Sequence, residues 1–301
     1  MKSILSLLSH RNTILIMAVV FGLWLGDYAH FLKLFTTYIL ALVMTFSMTN
    51  IRTQSLYPVS KLLFPMLKGA LFNYFIYAVI MIGAAHLFIS DKELFYGFVI
   101  IATTAPGVAI IPFSSILKGD IEYAVKGVLG AFICTIVLTP FLVGYLTGND
   151  GISSSQLFIL MVKTIIVPLI LSRLLLHRSV KSMVNKTRGK IVDIGFATLI
   201  FIAIGVNRSV FFDQTEMLIG IAVVLFISHF VVGVIHEKLI GHFISNKAKL
   251  TSDNLHLTIK SSGFAVVTAL QLFGQKAAIP TAVLPIFVLF YLLYLSFRKG
   301  S

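Results

Sequence analysis

Two apolar stretches of this chain break where a membrane-crossing helix should run on. Residues 102–115 read ATTAPGVAIIPFSS, and residues 254–270 read NLHLTIKSSGFAVVTAL. The first is interrupted by Pro106-Gly107 and the second by Ser261-Ser262-Gly263, and hydroxyl side chains gather around both interruptions. In lipid, a backbone group freed by a broken helix costs several kcal/mol unless protein or a water-filled cavity satisfies it. Interrupted hydrophobic segments at matching positions in two halves of a chain are the pattern of a secondary transporter's binding site.

The chain around these breaks has the composition of a membrane protein. It is 58% hydrophobic and only 12% charged over 301 residues, against about 25% charged for a soluble domain. Apolar runs recur at close to the ~20 residues that cross a bilayer core. They predict ten spans, at 13–27, 31–49, 64–89, 94–117, 122–147, 155–176, 190–207, 217–236, 254–273 and 277–297. The expected fold is therefore an all-α integral membrane protein. The opening residues 1–28 resemble a signal peptide, but His10 and Arg11 interrupt the apolar run and no small-x-small cleavage site precedes Asp27. Residues 13–27 are accordingly expected to form a first span.

The net charge of +13 is spread over alternate loops and forms no basic face, which argues against nucleic acid. Lys2, Arg11, Arg52, Lys61, Lys68, Lys118, the run from Arg173 to Lys190, Lys238, Lys247, Lys249, Arg298 and Lys299 fall on one side. Lys33, Lys92, Arg208 and Lys276 fall on the other. The positive-inside rule then puts both termini of a multi-pass cell-membrane protein in the cytoplasm. Cys134 is the sole cysteine, so there is neither a disulfide framework nor a thiolate metal site.

Ten spans divide into residues 1–150 and 151–301, with five spans each. An odd number per half forces the halves into opposite orientations, so a structural repeat between them is inverted. The interrupted segments become spans 4 and 9, the fourth of each half.

Thr103, Thr104, Pro106 and Gly107 at the first break, with Ser114 and Ser115 beyond it, are candidates for binding a substrate or ion. Ser261, Ser262 and Gly263 are their counterparts. Half-helix N-termini at such breaks present positive dipole ends to an anion; the plainer alternative is a proline kink packed on a neighbouring helix. Lys260 is open to two readings. A lysine at the bilayer centre costs about 2.5–3.5 kcal/mol, so a deep one must face a cavity or partner. Alternatively span 9 starts late, near Ile259, and Lys260 snorkels to the surface, as the polar run 251–254 would allow. His256, beside Asp253, either relays protons or lies in an interfacial loop, the simpler reading. Asn73 inside span 3 binds a ligand or joins two helices. Gly22-x-x-x-Gly26 is a helix-packing pattern. No phosphate loop, zinc pair or nucleophile elbow is present, so no catalytic residue, cofactor or metal site is expected.

Several of these residues carry a family likeness. Residues Ala105-Pro106-Gly107 through Lys118-Gly119-Asp120, then Leu138-Thr139-Pro140, then His256 to Gly263 and Ala278-Ile279-Pro280-Thr281-Ala282 follow in the order and spacing of the bile acid:sodium symporter superfamily. The chain resembles that superfamily over nearly its whole length. The resemblance implies a panel of spans 1, 2, 6 and 7 and a core of spans 3–5 and 8–10. Discontinuous spans 4 and 9 would cross at their breaks, beside an organic-anion substrate usually taken up with sodium.

The departures from the family pattern fall on its sodium ligands. The family's Glu is His256 here, its Gln is Lys260, its fourth-span Ser-Asn lies near Ile110-Ile111, its fifth-span hydroxyls are Ala124 and Val128, and its third-span Gln is Asn73. Sodium is a hard cation that needs several oxygen ligands, and these replacements remove them. The expectation is a secondary transporter of a small organic anion without the usual sodium sites. Its partners would be that anion, the lipid bilayer and a coupling ion, either proton or sodium. The alternatives are a sodium-coupled symporter with altered ligands and a non-transporting membrane scaffold or sensor.

Overall fold

The computed structural model describes residues 11–51, 61–148 and 154–300. Among them the fold is helical throughout, and its one β-type pairing is an isolated bridge between Pro106 and Lys260. In chain order the helices are α1 (Arg11–Trp24), α2 (Gly26–Met48), α3 (Leu63–Phe88), α4 (Lys92–Thr103), α5 (Ile110–Ile116) and α6 (Ile121–Thr147). The second half supplies α7 (Ser155–Leu174), α8 (Arg178–Gly205), α9 (Arg208–Asp213), α10 (Thr215–His242), α11 (Lys247–Thr258), α12 (Ser262–Leu272) and α13 (Gln275–Gly300).

Helices α2, α3, α6, α7, α10 and α13 are long and apolar enough to cross a membrane. By contrast α4, α5, α11 and α12 have 12, 7, 12 and 11 residues. At about 1.5 Å per residue, none of these four reaches across ~30 Å of hydrocarbon alone, while each pair end to end has that reach. Lys2 and Arg52, counted above for orientation, lie outside the described residues.

Helix α8 packs on α1, α2 and α13, α7 on both α2 and α6, α3 on α4 and α6, and α13 on α4 and α12. Glycines set the closest approaches. Gly22 and Gly26 both lie against α8, and a methyl group on Gly26 would meet the Gly205 carbonyl oxygen at 2.8 Å. A methyl group on Gly69 would stand 2.7 Å from Gly127 Cα, so α3 and α6 touch backbone to backbone there. Both α3, over Leu71–Tyr77, and α10, over Ile227–Val231, loosen into a π-turn at mid-length. Such bulges are rare and concentrate at functional sites.

Two sequence expectations need correction. Span 7, expected at 190–207, is the apolar end of a 28-residue helix that starts at Arg178, so most of the basic run is helix. Span 9, expected from 254, begins at Lys247, where the Asn246 side chain accepts the Lys249 N–H at 3.0 Å and caps α11. The polar run 251–254 is buried in that helix, because other helices supply its partners. Ser252 donates to the Asp120 carbonyl (3.0 Å), Asp253 takes Lys68 (2.6 Å) and Tyr123 (2.7 Å), and Asn254 donates to the Gly233 carbonyl (2.8 Å).

Candidate functional site

The two breaks meet and complete each other. After Thr103 the chain runs extended, and after Thr258 it does the same. Gly107 N–H donates to the Ile259 carbonyl at 3.1 Å, and Ser261 N–H donates to the Ala105 carbonyl at 3.2 Å. Pro106 sits between these bonds, and the absence of its N–H matters little there because the flanking groups carry the ladder. Gly107 is needed at the crossing, since a Cβ on it would lie 3.0 Å from the Lys260 carbonyl oxygen.

A helix end leaves its last four carbonyls without intrahelical partners, and at α4 side chains answer them. Thr104 Oγ1 donates to the Ile101 carbonyl at 3.0 Å, and Thr139 Oγ1 to that of Thr103 at 2.5 Å. Lys260 Nζ donates to the carbonyls of Ala102 (2.8 Å), Thr104 (3.0 Å) and Asn73 (3.3 Å). The Asn73 carbonyl belongs to the α3 π-turn, and Asn73 Nδ2 shares the Thr104 carbonyl at 3.2 Å. The ammonium also lies over the rings of Tyr77 (4.8 Å to the centroid) and Tyr74 (5.6 Å). Negative helix C-terminus, carbonyl oxygens and aromatic faces all favour a cation. Lys260 is 3% exposed, so it is no snorkelling residue, and among the described residues no ion pair reaches it.

On the far side of the crossing lies a cavity of about 50 Å³, room for roughly three to five waters at ~10–15 Å³ each. It opens between α1 and α8 on one side and the crossing and α13 on the other. Phe196 and Ile200 of α8 form one wall, Gly107–Ala109, Lys260, Ser261 and Ser262 the crossing wall, and Pro285, Val288 and Leu289 of α13 a third. Ser261 holds the N-cap position of α12 without capping it. Its Oγ is buried and has no hydrogen-bond partner among the described residues. The first amides of α12 share that wall and carry the positive end of its dipole.

His256 is not interfacial either. It is 1% exposed, and its ring presses on the α6 backbone at Gly127, where any Cβ would overlap it. Ala124 and Val128 flank that glycine on α6 and are buried and apolar. Among the described residues no three His, Cys, Asp or Glu side chains converge as metal ligands.

Of the residues singled out by sequence, Asn73, Thr103, Thr104, Pro106, Gly107, Lys260, Ser261, Ser262 and Gly263 gather at the crossing. The threonines act through their carbonyls, because Thr103 Oγ1 turns back to the Val99 carbonyl at 2.7 Å. Gly263 faces Phe196 and Leu199 of α8. Ser114 lies apart, 3.5 Å from Ser252, and Ser115 is exposed; one turn past the break, the helix has carried both away from the cavity. Sequence reading missed Tyr74 and Tyr77, whose three-residue spacing on α3 was the available signal. It also missed His229, buried in the α10 π-turn with its ring edge-on to Tyr77 at 5.8 Å.

Comparisons with known proteins identify a family and a relative. A family model described as the sodium bile acid symporter family matches residues 37–214. A probable sodium/metabolite cotransporter of rice chloroplasts is 25% identical over 227 residues, which is 72% of this chain and 52% of that protein. The chain thus spans about half the length of that curated relative. A match over more than half of the sequence, on a helical membrane fold, establishes that the chain belongs to the sodium bile acid symporter family.

Proposed function

We propose that the protein is a secondary transporter that carries a small organic anion by alternating access, with the Lys260 ammonium standing where the family places a coupling sodium. The single observation carrying this reading is the cage around Lys260. That ammonium is met by carbonyls and aromatic faces with no carboxylate beside it, at the crossing whose far side forms one wall of the cavity. The anion's carboxylate sits at the α12 N-terminus beside Ser261 and Ser262, and its body lies against Phe196, Ile200 and Val288.

The same features speak for ten spans in two inverted sets of five, residues 1–150 and 151–301. Broken α4–α5 corresponds to α11–α12, the α3 π-turn to that of α10, and Pro140 within α6 to Pro280 and Pro285 within α13. In this reading α1, α2, α7 and α8 form the frame, and α3–α6 with α10–α13 move against it with the crossing. The basic residues orient both termini to the cytoplasm. The name of the rice relative favours a metabolite as cargo.

Binding of small organic acids to the purified protein, followed by thermal shift in sodium and in potassium at equal ionic strength, tests the proposal. The expected result is binding that is indifferent to the cation. A tenfold tightening by sodium, about 1.4 kcal/mol of coupling, would reinstate a sodium-coupled symporter with altered ligands. Binding of no acid would leave a scaffold or sensor.

A further inference from the structure

We infer that the transporter is driven by protons, with one proton held in turn by Lys260 Nζ and His229 Nε2. This rests on the transporter reading and deepens it by naming the coupling ion. An ammonium has three N–H groups and a neutral amine has two. The carbonyls of Ala102, Thr104 and Asn73 give Nζ three acceptors, at 2.8, 3.0 and 3.3 Å. The closed crossing thus fits the protonated side chain. Without the third hydrogen, one carbonyl would face a nitrogen lone pair, and a buried acceptor left unmet is destabilising.

His229 of α10 is a base close by. Its ring lies edge-on to Tyr77 at 5.8 Å, and the Lys260 ammonium lies over the same Tyr77 ring at 4.8 Å. His229 Nδ1 stands 2.9 Å from the Leu225 carbonyl, so in the neutral ring Nδ1 carries the hydrogen and Nε2 the lone pair. Nε2 is buried and has no hydrogen-bond partner among the described residues. The two groups are near enough for positive charges on both to repel, so the pair holds one proton. Tyr74 and Tyr77 of α3 and Cys134 of α6 are the other titratable groups around them, and all three are uncharged at neutral pH. Asp253, about two turns back on α11, is taken by Lys68 and Tyr123. Helix α4 brings Lys260 only carbonyls, and the α8 and α13 side chains at the crossing are apolar.

The cage ties the proton to the position of the crossing. Lys260 stands between α11 and α12, while its acceptors belong to α3 and to the end of α4. A shift of α11–α12 against those helices withdraws all three carbonyls from Nζ. The stripped ammonium, with no carboxylate to hold its charge, passes a proton to His229. The Nζ–H bond breaks, its electron pair stays on Nζ, and the proton binds the Nε2 lone pair. Imidazolium then hands the proton to water, and the neutral amine takes up another as the crossing closes over the next anion. Each cycle moves one proton with the cargo.

The experiment uses the full chain in liposomes loaded with a pH-sensitive dye, in sodium-free buffer, with labelled pyruvate and 2-oxoglutarate as probes. Equal potassium on both sides with valinomycin holds the potential at zero. A gradient of about one pH unit should drive at least one acid to the alkaline side, about tenfold for one proton per anion and above the level in empty liposomes. The dye should report protons entering with it, and a sodium gradient should drive nothing. His229→Phe keeps a ring against Tyr77 and removes the base. It should slow pH-driven uptake at least tenfold while exchange of labelled for unlabelled acid at equal pH persists, because exchange needs no proton release. Lys260→Arg holds its proton permanently, so it should retain measurable exchange and lose pH-driven accumulation. Both variants are checked for monodispersity, and where one fails the other decides. Uptake that follows sodium and ignores pH, pH-driven uptake unimpaired in either variant, or joint loss of exchange and uptake in a monodisperse variant would each overturn the inference while leaving a transporter. No movement of either acid, by gradient or by exchange, would overturn the transporter reading itself.

Discussion

Two lysines reach into the interior of the molecule, and their partners differ in kind. Lys68 of α3 meets the Asp253 carboxylate at 2.6 Å, and Tyr123 holds the other carboxylate oxygen at 2.7 Å. Its side chain keeps 25% exposure. Lys260, wholly enclosed, meets three carbonyl oxygens and two tyrosine faces. A lysine paired with a carboxylate is neutral as a unit, and this one ties α3 and α6 to α11. A lysine held by dipoles has no carboxylate beside it. The first arrangement fastens the fold through an ion pair, and the second leaves the side chain without a countercharge.

The largest expected effect separates these roles. Lys260→Gln supplies donors to the carbonyls but removes the charge. Anion affinity should fall by the ~2–5 kcal/mol typical of losing one partner of a desolvated charge pair, with a modest change in thermal midpoint. Asp253→Asn should do the reverse. Breaking a buried pair costs about 3–5 kcal/mol, and the partial exposure of Lys68 puts this case at the lower end. Affinity in the surviving folded fraction should stay within a few-fold. Titration calorimetry and thermal unfolding on both variants measure the contrast. Equal losses of affinity in both would merge the two lysines into one network and end the distinction.

How much of this contrast the sequence disclosed follows from what each partner is made of. The breaks were legible because Pro106-Gly107 and Ser261-Ser262-Gly263 are side-chain signals inside apolar runs. The depth of Lys260 stayed open because residues 251–254 have the polarity of a membrane interface. Their partners Lys68, Tyr123, Gly233 and Tyr291 are distant in sequence and enter only with the packing. The cage was invisible for a stronger reason: its ligands are backbone carbonyls, which any residue supplies and only geometry aims. Gly127 was equally silent, since its contribution is the space that the His256 ring fills.

That space gives the next effect. In Gly127→Ala the new methyl must displace the His256 ring or part α6 from α11, because that ring stands where the methyl would go. Overpacking of this kind costs about 1–3 kcal/mol. The double variant Gly127→Ala with His256→Ala should recover much of the loss, as the methyl then meets a small side chain. Thermal midpoints of the single and double variants decide it. An additive double variant would mean that the ring does not rest on Gly127.

The smallest effect is expected at the rim, where charge is shared with water. Asp91 caps α4, accepting the N–H groups of Glu93 (3.0 Å) and Leu94 (3.1 Å), and takes Lys276 Nζ at 2.5 Å. Partial burial works against its charge, but the Lys276 hydrogen bond and the α4 amides outweigh it and hold the carboxyl below its ordinary range. A depressed carboxylate stabilises the fold above the unfolded value of about 3.9, and loses that contribution as pH falls through the lower folded value. With side chains 35% and 40% exposed, the ion pair is worth about 0–1 kcal/mol. Asp91→Asn keeps a capping oxygen and should lose only that; Asp91→Ala should lose roughly 1 kcal/mol more. The gap between wild type and Asp91→Asn in thermal midpoint should be present at pH 7 and close as the carboxylate protonates below about pH 3.9. Neither variant should alter anion affinity, because this cation is matched by its own carboxylate, as Lys68 is. A rim substitution that weakened anion binding as strongly as Lys260→Gln would show the binding charge to be a property of the whole helix group, not of the crossing.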